Sequence, residues 1–483
     1  MPSFITYESF GAVGDGRTDD LPAIVKAHQE ANRLHLPVKA KAGATYYLSP
    51  KGLTATVQTS VDWTGAHFLI DDVGCENITA PIFHVASAME PLPLAVSSMV
   101  DGQTTLPNPH GCDLFVAVEN ANHRDYIRKG LNQDNGHTRT DVFVLDASGS
   151  LSSPLSFDFE QITRLVAYPI DQQPLTLTGG HFTTIANQAE SQYNYHYRNI
   201  HITRSNVEVS GITHRITGEG DHGAPYNGFI RLSDCARVHI HDCLFTAHRI
   251  YWTIGSANLP VPMGSYDIRL DRTADIRISR CTQTTDIHDN RYWGLIATNF
   301  CRDLVFEDCR FSRFDAHMGV TNCVLRRCRL GWQCLNAIGN GTFLIEETQA
   351  HGDAFVNLRE DYGCTWRGEI TIRNCTWVPR SEKRAVFSAR NDGTHDFGYA
   401  CHLPDVVIDG LTVVEDAPDN APLFVFNDYL GKEAAAEVER PWMPFPPRQV
   451  EVRGIRTQRP IQLCERPELM PETVFVTEPA KAE

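Results

Sequence analysis

A short pattern of apolar positions recurs along the chain from about residue 170. Each copy has two apolar residues separated by one other residue, then two polar or small residues, then a third position that is small or apolar. Val238, Ile240 and Cys243 are an example. Alternation places the first two side chains on one side of a β-strand, and the third position follows a bend. The ten copies begin at Leu175, Val207, Val238, Ile276, Leu304, Cys323, Phe343, Ile370, Val406 and Val450.

The spacing between copies varies from 19 residues, between Leu304 and Cys323, to 44 residues, between Val406 and Val450. A constant apolar core with variable spacing is typical of a solenoid whose loops are lengthened on one side. The shortest copies approach the length of one three-sided turn. The pattern therefore predicts stacked parallel strands in a single repeat domain.

Cysteine often occupies the third position of the repeat. The chain has fourteen cysteines but no C-x-x-C motif, and it is too large to need disulfides for stability. Cys235 and Cys301 each lie eight residues before a repeat cysteine and predict a second, shorter column. We interpret the cysteines as buried free thiols, with a metal cluster as the alternative. The cysteines at the third position are Cys243, Cys281, Cys309, Cys328 and Cys375.

The segment FGAVGDGRTDDLPAIVKAHQEA, residues 10–31, combines a glycine-rich turn with an amphipathic helix. Asp19 or Asp20 is the predicted N-cap, and Pro22 suits the first helical turn. The glycines have the order G-x-x-G-x-G and follow no apolar strand, which favours a tight turn over a phosphate-binding loop. The residues at helical spacing on one face are Ala23, Ile24, Ala27, Ala31 and Leu34.

This segment resembles the N-terminal signature of the pectate lyase and polygalacturonase superfamily. The resemblance implies an all-β fold, a right-handed single-stranded parallel β-helix with an N-terminal capping α-helix, and the first strands within Val38–Leu48. It does not extend to a catalytic motif, since the nearest match to the GHG segment of the hydrolases is Gly180-His181-Phe182. No catalytic residue is therefore carried over from the superfamily.

No linker separates two repeat systems, so residues 1–483 are interpreted as one β-helix domain. Within it, residues 1–48 form the cap and first strands, and residues 170–460 form the regular coils. Residues 81–140, rich in Pro, Asn, Asp and His, predict an insertion or irregular lobe. Residues 465–483 predict a loosely ordered tail.

Composition narrows the range of partners. The net charge of −16 and the pI of about 5.7 argue against nucleic acid and against an anionic membrane surface. Neither a signal peptide nor a membrane-spanning apolar run is present in the sequence as written. The sequence as written therefore predicts a cytoplasmic protein, or an exported one if a signal sequence precedes it.

Polar residues concentrate in the segments that follow the third repeat position. Because parallel strands stack about 4.8 Å apart, equal offsets in successive coils are expected to lie side by side. Two sets of residues counted from the third repeat position of each coil predict a polar column. Five residues after that position lie His248, Asp286, Phe314, Gln333 and Asp353, and eight residues after it lie Tyr251, Asp289, His317 and Asn336.

Such a column suits a carbohydrate, since carboxylates perform acid–base chemistry and aromatic rings stack on sugars. We predict that Asp315 and either Asp289 or Asp353 are the acid and the base or nucleophile, with His317 supporting them. Asp289 and Asp315 are expected on adjacent coils, which is compatible with a retaining glycosidase. Asp315 and Asp353 are expected two coils apart, which is compatible with an inverting one.

Other polar and aromatic residues of the same segments are predicted to bind the substrate. The favoured reaction is hydrolysis of a glycosidic bond in an acidic poly- or oligosaccharide. A noncatalytic glycan-binding β-helix is a further alternative, and the oligomeric state stays open. The predicted substrate-binding residues are His248, Arg291, Tyr292, Trp293, Trp332, Asn336, Arg359 and Glu360.

The competing reaction is β-elimination of a uronate-containing glycan, as many β-helices of the superfamily perform. No lysine occurs between Lys129 and Lys383, so the candidate bases are Arg291, Tyr292, His317 and Arg359. Calcium is possible, with oxygens from Asp286, Asp289 and Asp315, although no calcium-loop pattern is present. No other cofactor or metal is predicted.

Overall fold

The ten apolar repeats form one continuous parallel sheet. The computed structural model describes residues 3–129, 136–255, 258–380, 385–415, 421–430 and 440–478. Leu175 pairs with Val207, Val207 pairs with Val238, and the same register continues through each later copy to Val450. The fold predicted from the sequence is confirmed: the chain is a right-handed parallel β-helix with an N-terminal capping α-helix.

The strands fall into three groups along the chain. The first coils contain β1 (Asp15–Asp19), β2 (Val38–Lys39), β3 (Thr45–Leu48), β4 (Ala55–Val57), β5 (Val61–Asp62), β6 (His67–Asp71) and β7 (Phe83–Val85). A lobe contains β8 (Leu114–Asp125), β9 (His137–Leu145) and β10 (Arg164–Pro169). The later coils and their loops contain β11 (Leu175–Thr178), β12 (His181–Ile185), β13 (Ile200–Ile202), β14 (Val207–Ser210), β15 (Thr213–Thr217), β16 (Asn227–His241), β17 (Leu244–Phe245), β18 (His248–Arg249), β19 (Tyr251–Ile254), β20 (Pro260–Met263), β21 (Tyr266–Ser279), β22 (Thr282–Gln283), β23 (Tyr292–Trp293), β24 (Leu295–Asn299), β25 (Arg302–Glu307), β26 (Arg310–Phe311), β27 (Arg313–Arg326), β28 (Arg329–Leu330), β29 (Leu335–Glu346), β30 (Gln349–Gly352), β31 (Val356–Asn357), β32 (Trp366–Pro379), β33 (Ala385–Ser388), β34 (Asp405–Val413), β35 (Leu423–Phe426), β36 (Gln449–Arg456), β37 (Ile461–Cys464) and β38 (Val474–Thr477).

Each complete coil has three faces. Face 1 contains β13 and the strands stacked on it, face 2 contains β11 and the other repeat strands, and face 3 contains β12 and its neighbours. Between faces 2 and 3 the chain turns at a residue of left-handed backbone conformation, directly before the third repeat position. This turn explains why that position follows a bend. The residues at the turn, with φ between 50° and 56°, are Asp242, Arg280, Asp308, Arg327 and Asn374.

Most of the cysteines line the interior of the β-helix, whereas Cys75 and Cys112 are partly exposed. All fourteen are free thiols, and those at the third repeat position are buried, as predicted. Burial raises the pKa of the Cys375 thiol to about 11, which disfavours the reactive thiolate. The second column consists of Cys235 and Cys301 with Thr273 between them in the stack. The prediction of buried free thiols is confirmed.

The N-terminal segment closes the first coil. Helix α1 (Leu21–Leu34) buries Ile24 and Ala27 against the β-helix core. Asp20 is the N-cap residue, as predicted, but its carboxylate accepts hydrogen bonds from the backbone N–H groups of Val13 and Gly14, at 2.6 and 3.1 Å, and so holds the glycine-rich turn instead of bonding to the helix. Leu34, predicted on the apolar face, is exposed instead because it is the last helical residue.

The lobe is an antiparallel sheet with its own apolar core. Strand β8 pairs with β9 on one side and with β10 on the other. Phe143 and Phe159 are fully buried in this second core. The sheet reaches residue 169, whereas residues 83–85 belong to the β-helix, so the lobe begins and ends later along the chain than the predicted 81–140 boundaries.

The C-terminal segment continues the β-helix. Residues 467–469 form a 3-10 helix, and β38 pairs in parallel with β36. The tail predicted to be loosely ordered is therefore structured as far as β38, and residues 479–483 lie outside the described residues. Other 3-10 helices lie at Glu8–Phe10 and Glu360–Tyr362. Among the described residues, α1 and the other helices are too short or too polar to cross a bilayer.

Candidate functional site

The candidate site lies on face 1 of the central coils. The backbone register stacks one residue per coil, in the order Arg269, Ala297, Asp315, Asn336 and Asn357. The preceding residue in each strand faces inward and is apolar, as period-two alternation requires. Alternation thus places Asp315 and Asn336 side by side on the outer surface of the β-helix.

Asp315 is the centre of a cluster of charged side chains. Its Oδ2 accepts hydrogen bonds from Arg313 at 2.6 Å and from Arg359 at 3.4 Å. Its Oδ1 is buried, with no hydrogen-bond partner in the part of the chain that the structure describes. The Asn336 amide lies 2.9 Å from Nε of Arg313 and 2.7 Å from Nδ2 of Asn357. Asp315 therefore fixes two arginines from two separate coils.

A second carboxylate, Asp361, extends this cluster toward the lobe. Arg359 forms a two-point contact with Asp361, at 3.0 and 2.7 Å, and Arg128 donates to the same carboxylate at 2.6 Å. Burial opposes ionisation of Asp361, but Arg359 and Arg128 outweigh it and lower its pKa. We call Arg128, Arg313, Asp315, Arg359 and Asp361 the arginine cluster.

His317 lies beside the arginine cluster at a β-bulge of β27. Asn299 donates its amide to Asp271 at 2.8 Å, so its Oδ1 faces His317 Nδ1, which is 2.7 Å away. A carbonyl oxygen only accepts, so Nδ1 carries the proton. Burial, with the charges of Arg359 and Arg313 adding to it, holds the pKa of His317 well below its usual range. The imidazole is therefore neutral, and its basic Nε2 lies 3.5 Å from the hydroxyl of Tyr362.

A groove of about 1650 Å³ runs from Asn290 to Glu465 along these coils. Five cationic side chains line it, together with carboxylates, amides and one tryptophan. The predicted residues Asp353 and Glu360 are exposed within it. The polar and aromatic lining consists of Lys129, Asn290, Arg313, Trp332, Gln333, Asn336, Asp353, Asn357, Arg359, Glu360, Asp361, Arg380, Ser388, Arg390, Phe424, Asn427, Asp428 and Glu465.

Trp332, predicted to bind substrate, forms part of one wall, and the predicted residues Tyr292 and Trp293 contact it. Trp332 lines the groove and donates its Nε1–H to the carbonyl of Tyr292 at 3.1 Å. Trp293 meets Trp332 edge to face, with ring centroids 6.3 Å apart. The Arg313 guanidinium lies 5.3 Å from the Trp293 ring centroid, which joins this wall to the arginine cluster.

Other predicted residues have different surroundings. Asp289 forms a two-point ion pair with Arg291, which lowers the pKa of Asp289 to about 2. His248 is buried, with its ring stacked on Tyr226 at 4.6 Å, because β18 pairs with β23 beneath the loops. The expected contact of His248 with a substrate at the surface does not fit this burial.

The carboxylates considered for calcium also have other partners. Asp286 accepts the backbone N–H of His288, and Asp289 and Asp315 are ion-paired with arginines. Among the described residues, His, Cys, Asp and Glu form no group of three or more that could hold a metal ion. The arrangement around these aspartates is that of charge pairs.

The predicted polar column has a different register in the structure. Equal offsets from the repeat placed His317 beside Asn336, whereas the sheet pairs Asp315 with Asn336. Phe314, predicted in the polar column, is buried in the core. The loops between faces 3 and 1 differ in length, so a count from face 2 loses the register before it reaches face 1.

Sequence reasoning missed several residues of the site. Arg128 and Lys129 come from the lobe, which no repeat position could connect to the groove. The position of Arg313 in the site could have been predicted, because it lies two residues before Asp315 and so on the same side of the strand. The alternating tyrosines of SQYNYHY, from Tyr193 to Tyr197, were a further signal of an aromatic surface on face 1.

Comparison with known proteins gives matches in structure. No protein-family model matches the chain, and no curated protein matches it in sequence. The tailspike gp61 of Pseudomonas phage phi297 is similar, with a TM-score of 0.57 and 12% identity over 95% of this chain and 81% of that one. The tailspike gp49 of Pseudomonas phage LKA1 has a TM-score of 0.51 and 14% identity over 95% and 82%. The chain has the fold of these tailspikes.

A third tailspike was solved with a bound saccharide. It is gp54 of Acinetobacter baumannii bacteriophage AP22, in complex with A. baumannii capsular saccharide. Its TM-score is 0.51, with 11% identity over 98% of this chain and 79% of that one. At such low sequence identities the structural similarity shows the fold alone.

Proposed function

We propose that the protein binds an acidic poly- or oligosaccharide in the groove and hydrolyses a glycosidic bond. The observation that carries this proposal is the charge balance of the arginine cluster. Among the described residues, Arg128, Arg313 and Arg359 contact two carboxylates, Asp315 and Asp361. The arginine cluster therefore has one more cation than carboxylate, whereas the groove lining has five of each. A sugar carboxylate would pair with the excess cation of the cluster through charge-assisted hydrogen bonds.

The wall and floor of the groove also suit a sugar. Trp332 offers an aromatic ring, and the column Asn336, Asn357 and Ser388 offers amide and hydroxyl groups to sugar hydroxyls. Pockets that combine aromatic faces with a few fixed polar groups are typical of small-ligand sites. The saccharide bound to gp54, a protein of the same fold, supports a glycan as the ligand.

For hydrolysis, two carboxylates must flank the scissile bond. Asp353 is exposed in the groove and is the proposed acid, while Asp315 is the proposed base or nucleophile. Asn357 is stacked two strands beyond Asp315 and Asp353 lies four residues before Asn357, so the backbones of Asp315 and Asp353 are at least roughly 10 Å apart. Side-chain reach would bring that separation near the range of an inverting pair.

A second candidate reaction, β-elimination, is favoured by His317. Removal of the proton at C5 of a uronate needs a base, and the neutral imidazole offers Nε2 beside the arginines that would neutralise the sugar carboxylate. Tyr362, 3.5 Å away, would donate a proton to the leaving oxygen. In this reaction Asp315 would only position Arg313 and Arg359.

Incubation with a panel of acidic and neutral glycans tests these proposals. New reducing ends without ultraviolet absorbance indicate hydrolysis, whereas absorbance from a new double bond indicates elimination. Asp353→Asn is expected to abolish hydrolysis and His317→Gln to abolish elimination. Asp308→Asn, at a turn on the other side of the β-helix, is the matched control. Binding without cleavage of any glycan would overturn the enzymatic proposal.

A further inference from the structure

A second polar surface lies on face 1, toward the N-terminus from the groove. It combines four tyrosines with two arginines, and we call it the Tyr–Arg surface. Each of these side chains is exposed or partly buried, so all of them reach the outer surface of the β-helix. Its residues are Tyr193, Tyr195, Tyr197, Tyr266, Arg231 and Arg269.

The register connects this surface to the arginine cluster. In the backbone register Arg231 pairs with Arg269, Arg269 with Ala297, and Ala297 with Asp315. Arg269 is thus two strands from Asp315. At about 4.8 Å per strand, the two positions are roughly 10 Å apart along the helix axis.

The two arginines share one carboxylate. Arg269 forms a two-point contact with Asp271, at 2.9 and 3.2 Å, and Arg231 lies 3.4 Å from the same group. Asn227 accepts a further hydrogen bond from Arg269 at 2.6 Å. About a fifth of each arginine side chain is exposed, 20% for Arg231 and 23% for Arg269. As in the arginine cluster, one positive charge is left over.

The tyrosine rings surround these arginines. Tyr195 and Tyr266 stack with centroids 5.7 Å apart, and Arg269 lies over the Tyr266 ring at 5.4 Å. Arg231 lies over the Tyr197 ring at 5.0 Å. Aromatic faces beside a fixed cation are suited to an acidic sugar, whose ring stacks while its carboxylate pairs with the cation.

One hydrogen-bond chain joins the two surfaces. Asn299 donates to Asp271 of the Tyr–Arg surface and accepts from His317 beside the arginine cluster. Asp271 and Asn299 are both buried, so the chain fixes Arg269, through Asp271, relative to His317 beside the arginine cluster. A rigid spacing between two charges favours a ligand with the same spacing.

We propose that the Tyr–Arg surface is a second carboxylate-binding subsite for the glycan in the groove. The ligand then carries two acidic sugars separated by one other sugar, since roughly 10 Å is comparable with the length of a disaccharide. This inference rests on the proposed glycan-binding function and adds the length and charge pattern of the ligand.

Binding of size-fractionated oligosaccharides of polygalacturonate and hyaluronan, measured by calorimetry, tests the subsite. For the wild-type protein we expect affinity to rise about tenfold between disaccharide and tetrasaccharide, because the longer ligand reaches both cationic positions. Arg231→Gln is expected to lose this rise and to keep the disaccharide affinity. Arg277→Gln, on face 2 and paired with Glu307, is the matched control and should keep the rise.

The outcomes separate this inference from the proposed function. If Arg231→Gln binds each length as the wild type does, the subsite is overturned and binding in the groove stands. If Arg359→Gln, within the groove, weakens all lengths while Arg231→Gln weakens only the longer ones, both are supported. If the wild type binds no acidic oligosaccharide, the proposed function is overturned together with the subsite. Thermal melting of each variant checks that the fold is retained.

Discussion

Replacement of Asp315 by Asn is the most informative perturbation of the arginine cluster. The side chain is isosteric, so the change removes charge with little change of shape. Arg313 and Arg359 then face one another across a neutral amide that satisfies neither of them fully. We expect both loss of turnover and a measurable loss of stability, because Asp315 holds two partly buried cations.

The magnitude follows from the burial of the cluster. Asp315 is 4% exposed, and the side chains of Arg313 and Arg359 are 13% and 12% exposed. Breaking a buried ion pair by removing one partner costs about 3–5 kcal/mol. Asp361 still compensates Arg359, so the lower end applies, and we expect the free energy of unfolding to fall by about 3 kcal/mol.

Urea denaturation of four proteins measures this effect: the wild type, Asp315→Asn, Arg313→Gln and the double variant. The double variant should be less destabilised than the sum of the single variants, because it leaves fewer unpaired charges. The matched control, Asp308→Asn, breaks an exposed pair with Arg327 and should cost less than about 1 kcal/mol. An Asp315→Asn variant as stable as this control, or an active one, would refute the reasoning.

Three further predictions concern the lobe, the histidine and the thiols. Arg128→Gln should raise KM several-fold with a smaller change in kcat, since it acts on the groove only through Asp361; steady-state kinetics with Arg124→Gln as control measure this. Burial and the neighbouring arginines hold the pKa of His317 well below its usual range, so its NMR resonances should not titrate in the pH range where an ordinary histidine does. A thiol reagent should modify only Cys75 and Cys112 in the native protein, since the other cysteines are buried; a higher native stoichiometry would contradict the buried ladder.

The fold was predictable because its signal repeats. Each coil must place apolar residues inward on face 2, so the register from Leu175 to Val450 could be read directly from the sequence. Loops between faces 3 and 1 carry no such constraint, since solvent accepts any length there. The bulge at His317 shifts the register once more. Residue offsets counted from the repeat therefore assign each polar residue to the correct coil, but they predict the wrong partner for it on face 1.

The site depends on pairs of residues that are distant in sequence. Arg128 and Asp361 are 233 positions apart and meet because the lobe folds back over the coils. The backbone supports this contact, since the Lys129 N–H donates to the Asp361 carbonyl at 2.9 Å and the Ile127 N–H donates to that of Phe397 at 3.1 Å. A chain without the lobe would keep its apolar repeats and lose the outermost cation of the arginine cluster. Arg313, Arg359, Asp315 and Asp361 would then balance in charge, and the arginine cluster would have no excess cation for an acidic sugar. The lobe thus contributes to the proposed specificity of the groove.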